Sequence, residues 1–340
     1  MYKISVIVPV YNAEDTLENA ISSVINQTIG FQNIELILVD DASSDNSKLI
    51  IQKYADKFEN IKPIFLSENS GSPSKTRNIG IDNSTAPYLM FLDNDDEFYG
   101  DYCEVLYNSI VNNDVDIVSC TNSSKLNNQV YISKNIEEIN FHEKSYVYED
   151  KLFLKLVVWG NIFKSSLIKE NNIQFPLSLY EDGVFYLQCL LKTEKPVINL
   201  PYYPGYVYLI TNEDSITHKA DLSTLTRFLD GFNSCGKLLK ENNRQDVEQR
   251  LFASFINMVI FILFKLDDLD NGIKLVYDFE KSLDFKITLG SKPLNIVNNK
   301  IMNKHFLQAK ILIKLMGLLY NNNKFRNFVF VNYSNLKILE

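Results

Sequence analysis

Four short runs of β-branched and apolar residues recur through the first 95 residues, and the segments between them carry the period of a helix. Residues 3–9 (KISVIVP), 34–40 (IELILVD), 61–66 (IKPIFL) and 87–93 (PYLMFLD) read as strands, the first nearly continuous in apolar side chains as a strand buried on both faces must be. Residues 13–27 set Leu17, Ala20, Ile21, Val24 and Ile25 on one helical face, with Asn12 placed to cap the start. Residues 43–58 form a second helix with Leu49, Ile50, Tyr54 and Phe58 turned inward. A Gly/Ser/Pro loop at residues 68–74 (ENSGSPS) leads into a short helix near residues 75–82. Alternation at this spacing gives an α/β fold, a mostly parallel sheet flanked by helices. Such sheets take ligands at the carboxyl ends of their strands.

The chain has 340 residues, enough for two domains, and 46% hydrophobic residues are enough to build their cores. With 22 Phe and 19 Tyr it is too apolar to be a disordered chain. Cys103, Cys120, Cys189 and Cys235 have no CxxC spacing, and His142, His218 and His305 are dispersed, so neither a disulfide scaffold nor a structural zinc site is indicated. A reducing, cytoplasmic setting fits this usage. After Asp284 nine bases face one acid, Glu340, so that stretch carries +8 while residues 1–284 carry −16. An acidic body speaks against general nucleic-acid binding, which needs a positive face. The apolar run at residues 4–10 is shorter than a signal-peptide core. The run at residues 251–264 is interrupted by Ser254 and Asn257 and falls short of the roughly 20 residues that span a bilayer. The expectation is a protein that is not integral to a membrane.

Acids gather where the strands end. Asp40 and Asp41 close the second run, and Asp93, Asn94, Asp95 and Asp96 close the fourth. Carboxylates this close repel one another, and a divalent cation bridging to a diphosphate would relieve the repulsion. There is no GxxxxGK[ST], and no GxGxxG follows the first strand, which argues against an ATPase and a dinucleotide dehydrogenase.

In order along the chain, SVIVPVYNAEDTLENAISSVINQT, ELILVDDASSDNS, ENSGSPSKTRNIGI and PYLMFLDNDDEF resemble the nucleotide-binding half of family 2 glycosyltransferases of the GT-A fold. The ENSGSPSKTRN form is similar to that of bacterial wall teichoic acid glycosyltransferases. The resemblance implies a Rossmann-like GT-A catalytic domain over residues 1–218, with a nucleotide-sugar half at 1–100 and an acceptor half at 101–218. It implies that Pro9, Val10 and Tyr11 form the turn against the nucleotide base and that Asp41 accepts from uracil N3, whereas a helix-start role suits Asp45 better. Arg77 matches the basic residue near the uracil and diphosphate; Lys75 is either a second such residue or a solvated charge. Asp93, Asn94 and Asp95 match the DXD motif, with Asp93 toward the ribose or a metal-bound water and Asp95 on Mn²⁺ or Mg²⁺. Asp96 is expected to point away, solvated or capping a helix.

EDGVFYLQCLL (residues 181–191) looks like the family's ED motif, which makes Asp182 the catalytic base and puts Glu181 beside the acceptor. Stabilisation of a helix start by its dipole is the other account of the two acids. VVWGNIFKSSLI (157–168) matches a segment with a Trp shortly before a Lys, here displaced to Lys164; Trp159 either stacks on the acceptor sugar or packs in the core. YVYLITNEDSITH (206–218) resembles the site-closing strand and loop, but Leu209 stands where an Arg commonly follows, and His218 is either a metal ligand or structural. The activity implied is an inverting, metal-dependent transfer from a UDP-sugar to a hydroxyl of a glycan, glycoprotein or teichoic-acid-type acceptor. A catalytically silent homologue serving as a scaffold subunit is the alternative; a nucleotidylyltransferase would want a glycine-rich basic phosphate loop, and none is present. Residues 219–340 read as a helical region with helices at 222–240, 247–266 and 304–320. The last mixes Phe306, Ile311, Ile313, Leu315, Leu318 and Leu319 with Lys304, Lys310 and Lys314, a pattern that suits an anionic membrane surface at the cytoplasmic face, packing on the acidic domain, or homo-oligomer formation.

Overall fold

The computed structural model describes residues 1–126, 129–133, 146–148, 157–177, 180–201, 203–209, 221–289, 292–319 and 336–339. Two compact units emerge. One comprises Met1–Leu177, Glu181–Ile210 and Lys337–Glu340, the other Ser178–Tyr180 and Thr211–Leu336.

The strands are β1 (Ile4–Val10), β2 (Ile34–Asp40), β3 (Ile61–Phe65), β4 (Tyr88–Phe91), β5 (Glu97–Phe98), β6 (Ile117–Cys120), β7 (Asn122–Leu126), β8 (Gln129–Ser133), β9 (Tyr146–Tyr148), β10 (Asn161–Lys164), β11 (Val197–Leu200), β12 (Tyr206–Leu209) and β13 (Leu336–Leu339). The first unit's helices are α1 (Leu17–Ile25), α2 (Ser47–Ala55), α3 (Pro73–Asn83), α4 (Tyr102–Asn112), α5 (Ser165–Glu170) and α6 (Glu181–Lys192). The main sheet runs β3-β2-β1-β4-β10-β6-β11-β9, and a smaller one runs β13-β8-β7-β12-β5. β1 pairs in parallel with β2 and β4, and β6 with β11, while β10 is antiparallel to both β4 and β6. β6 therefore points the same way as β4, and the carboxyl ends of β1, β2, β4, β6 and β11 share one rim.

Every residue of β1 and β2 is buried, which explains their apolar composition. Val6, Val8, Leu36, Leu38 and Met90 pack on one face with Leu17, Ile21 and Leu106, from α1 and α4. The other face carries α3, which approaches so closely that a Cβ on Gly80 would lie 2.3 Å from Ile7 Cγ2. Glycine is what lets this helix sit down on β1. One acid is sealed into β2: Glu35 takes hydrogen bonds from Ser5 Oγ, Thr85 N and Thr85 Oγ1 and pairs with Lys62, and these contacts outweigh burial and lower its pKa.

The early helices are shorter than the spacing predicts. α1 begins at Leu17 because residues 13–16 form a turn, and Asn12, with φ 47°, accepts from Ser44 N through its side chain instead of capping the helix. In α2 the buried positions are Ser47 and Ile51, and Leu49, expected inside, is 70% exposed.

The second unit holds α7 (Leu222–Glu241), α8 (Glu248–Lys265), α9 (Leu269–Lys281), α10 (Lys292–Met302) and α11 (Phe306–Leu319). Its centre is aromatic: Phe232 stacks on Phe255 at 4.1 Å, and Phe252 on Phe279 at 5.9 Å. The stretch Gln245–Lys265 has 21 residues and a mean hydropathy of 1.6, long and apolar enough to cross a membrane, which corrects the shorter run read from sequence. Phe252, Phe255, Ile256, Val259, Ile260 and Leu263 along it are buried within the unit.

Candidate active site

The rim of the main sheet collects the residues singled out above. At the end of β1, Pro9 and Val10 are buried, while Tyr11 is 49% exposed. Asn94 donates to the Pro9 carbonyl at 3.1 Å, tying the acidic turn to this strand end. Asp41 is buried and accepts from Ser70 N and Ser70 Oγ, both at 2.9 Å, so the β2 end and the serine-rich loop before α3 form one piece. Asp45 accepts from Ser47 N at the start of α2. Lys75 is exposed.

Arg77 is the hub. Its side chain is only 4% exposed, yet it meets three carboxylates from two parts of the chain. Nη2 donates to Asp93 Oδ1 at 2.7 Å, and Nη1 donates to Asp182 Oδ1 at 2.8 Å and Glu181 Oε1 at 3.2 Å. Burial disfavours the cation, but Asp182, Asp93 and Glu181 together outweigh it and raise its pKa. The guanidinium also lies over the Phe175 ring at 5.3 Å, and Phe175 stacks on Phe185 of α6 at 3.9 Å. Asn78 fixes this arrangement by donating to the Phe175 carbonyl and accepting from its amide. Resemblance anticipated Arg77 beside a diphosphate. Its bond to the first turn of α6, 104 and 105 residues downstream, left no mark in the sequence.

Glu181 and Asp182 open α6, and Tyr180 just before them adopts φ 67°, a strained value for a ring-bearing residue. Asp182 is pushed up to about 7, chiefly by burial, with Arg77 pulling the other way and Glu181 and Asp93 adding to the rise; the Val158 amide hydrogen-bonds to it. A carboxyl group at that value is poised to take a proton near neutrality.

Asp96 corrects the sequence expectation. It is buried, accepts from the Tyr206 hydroxyl at 2.7 Å and from Leu209 N at 2.8 Å, and burial with Asp93 and Asp95 nearby raises its pKa. Leu209, where an Arg was awaited, thus serves through its backbone. Asp95 is pushed up to about 6, first by burial and then by Asp93, and among the described residues no cation pairs with it. An oxygen-only set short of positive charge fits a hard divalent cation. Among the described residues no three His, Cys, Asp or Glu side chains are gathered to hold one, so diphosphate oxygens would have to complete the shell. His218 lies outside the described residues.

Trp159 is half-buried, stacked on Tyr206 at 5.1 Å and 25° and near-parallel to Tyr208 at 6.5 Å. The ring is thus joined to the tyrosine that holds Asp96. Gly160 beside it has φ 73°, and a Cβ there would meet the Cys120 carbonyl at 3.2 Å. Lys164 lies 3.8 Å from Asp116 at the far end of β10.

The model of the family described as "Glycosyl transferase family 2" matches residues 5–173. An uncharacterized glycosyltransferase of Haemophilus influenzae is 34% identical over 205 residues, 57% of this chain and 74% of that one. The poly(ribitol-phosphate) beta-glucosyltransferase of Bacillus spizizenii is 33% identical over 213 residues, 62% of this chain but only a third (33%) of its own length. The cholesterol galactosyltransferase of Borreliella burgdorferi is 28% identical, covering 98% of this chain and 95% of that one. The crystal structure of S. aureus TarS 1-349 in complex with UDP-GlcNAc shares the fold at a TM-score of 0.56 and 18% identity, covering 99% of this chain and 96% of that one.

Proposed function

This chain belongs to glycosyl transferase family 2, and from that premise we propose that it moves a sugar from a UDP-sugar to a hydroxyl of a surface glycan, such as a teichoic-acid-type polymer, with inversion at the anomeric carbon. One observation carries the reading. A single guanidinium spans the acid of the DXD turn and the acids that open α6, so the leaving-group end and the acceptor end of a displacement are held together.

Each residue has a task in that displacement. Tyr11 and Asp41 receive the base, Asp93 and Asn94 the ribose side, and Glu181 with Trp159 the acceptor. Asp182 removes the acceptor proton as the hydroxyl oxygen attacks, the bond from the anomeric carbon to the diphosphate breaks, and UDP leaves. With Asp182 as the one base and no carboxylate given the part of a nucleophile, the displacement is single and inverts the anomeric centre. Arg77 keeps Asp182 oriented and places positive charge beside Asp93, where negative charge develops on the departing diphosphate. Asp95 and Asp93 would hold Mn²⁺ or Mg²⁺, which supplies Lewis-acid stabilisation of the leaving group when bound.

Exposed Leu307, Ile311 and Leu315 on one stripe of α11, with Lys304 and Lys314 beside them, support peripheral contact with an anionic membrane at its cytoplasmic face.

The test is UDP release from a panel of UDP-sugars with Mn²⁺, wild type against Asp182→Asn. Turnover by the wild type and a loss of about 10²–10⁴-fold in the variant is expected. Equal turnover by both removes Asp182 as the base, and no turnover with any donor returns the silent-scaffold reading.

A further inference from the structure

In the proposed displacement Asp41 receives the base, yet it is only 5% exposed and both of its carboxylate oxygens already have donors. Ser70 supplies the two of them. Its amide donates to Oδ1 and its hydroxyl to Oδ2, each at 2.9 Å. The loop that carries Ser70 is fixed at several points. Asn69 Nδ2 donates to the Asp41 carbonyl at 3.2 Å, and Asn69 Oδ1 accepts from Gly71 N at 2.7 Å. Ser72 caps α3 by accepting from Ser74 N, and Ser74 Oγ donates to the Pro176 carbonyl at 2.6 Å. A backbone amide held in such a loop cannot leave Oδ1 unless the loop itself shifts.

The hydroxyl is different. Ser70 Oγ also lies 2.9 Å from the Ser72 carbonyl oxygen, the same distance as from Asp41 Oδ2. A hydroxyl carries one proton and turns about a single bond, so it donates fully to one of these acceptors at a time. The carboxylate oxygen is the stronger acceptor and takes the proton while the site is empty. An N–H arriving at Oδ2 changes the balance, because the hydroxyl can turn to the carbonyl and lose no hydrogen bond. Uracil offers such an N–H at N3, on the edge that Asp41 would meet.

Resting on the UDP-sugar reading, we propose that Ser70 is a positioning residue of the base site: its amide fixes Asp41 through Oδ1, and its hydroxyl yields Oδ2 to the N3–H of uracil by turning to the Ser72 carbonyl. The hydroxyl thus competes with the base for Asp41, and the sign of its removal follows. Ser70→Ala keeps the amide bond but leaves Oδ2 short of a partner in the empty protein, a cost that the base's N–H relieves. UDP therefore binds the variant more tightly than it binds the wild type. A hydroxyl that stayed on Asp41 in the complex, and served only to hold the loop, would give the opposite sign.

Calorimetry of the full chain with Mn²⁺ compares UDP with its N3-methyl derivative, which lacks the donor, for wild type and Ser70→Ala. The variant is expected to bind UDP about five- to tenfold more tightly, and N3-methyl-UDP no more tightly than wild type does. Ser70→Thr, which restores the hydroxyl, should return UDP affinity to the wild-type level. The nucleotide-free alanine variant should melt below wild type, and UDP should raise its midpoint by more. Ser70→Cys, a weak donor of similar size, reads the same contrast with a smaller gain should the alanine chain fail to fold. UDP bound equally or more weakly by the variants, or an equal gain for both nucleotides, overturns the proposal. N3-methyl-UDP bound by wild type as well as UDP removes the contact to Asp41 and the proposal with it. No binding of UDP by the folded wild type removes the UDP-sugar reading instead.

Discussion

Arg77 stands between Asp93 and the two acids of α6, and its loss would leave three carboxylates crowded with no counter-charge. Arg77→Met is expected to cost about 3–5 kcal/mol, the usual penalty for removing one partner of a buried ion pair, read as a lowered thermal midpoint. Arg77→Lys should recover part of the stability but not the forked geometry, so its transfer rate stays low. Asp182 fixes a pH dependence. With its pKa near 7, it is protonated and unable to accept below that value, so kcat/KM should rise with pH up to about 7 and then level off. A profile flat from pH 5 to 8 would count against it. At this scale the residue types were legible because DND, ED and KTRN are local strings. Asp96 was misread because its partners, Tyr206 and Leu209, lie 110 and 113 residues away.

Among the elements, α9 and α10 are joined by a buried polar pair. Glu280 Oε2 accepts from Asn298 Nδ2 at 3.1 Å, and among the described residues Glu280 Oε1 and Asn298 Oδ1 are buried without partners. Burial pushes Glu280 up to about 7. The folded state therefore holds this proton more tightly than the unfolded chain does, and stability should fall as pH rises from about 4.5 to 7. Glu280→Gln, whose amide can donate to Asn298 Oδ1, should remove that slope and stabilise the protein by on the order of 2 kcal/mol at pH 8, measured by urea denaturation. An unchanged slope would place the titration elsewhere. The strands of the first half were readable because a buried parallel strand admits almost only apolar side chains. α9 was not, because its Asp-rich start and Gly272 look like a break. Asp268 in fact caps the helix by accepting from Asn271 N, and a Cβ on Gly272 would lie 2.3 Å from Leu266 Cδ2.

For the molecule as a whole, charge is the organising quantity. The acidic rim predicts that EDTA weakens UDP binding at least tenfold and that Mn²⁺ restores it, which calorimetry would measure; affinity indifferent to EDTA would remove the cation from the account. The basic C-terminal stretch predicts sedimentation with anionic vesicles but not with zwitterionic ones, weakened by salt and by joint replacement of Leu307, Ile311 and Leu315 with Ser. Wild type left in the supernatant under all conditions would rule that contact out. The alternation of strands and helices made the first unit legible as a class of fold. The helical second unit was only partly so, since helical periodicity does not say which face meets which neighbour.

The reversed strand β10 has a consequence for how such chains diversify. Because it runs against β4 and β6, it meets the shared rim with its beginning, and the turn bearing Trp159 and Gly160 hangs there as a connection outside the parallel framework. Exchanging that connection, or lengthening it, leaves untouched the registers of β1 with β2 and β4. Under the proposed reading, the acceptor-side wall can change in length or sequence while those strand ends keep their geometry.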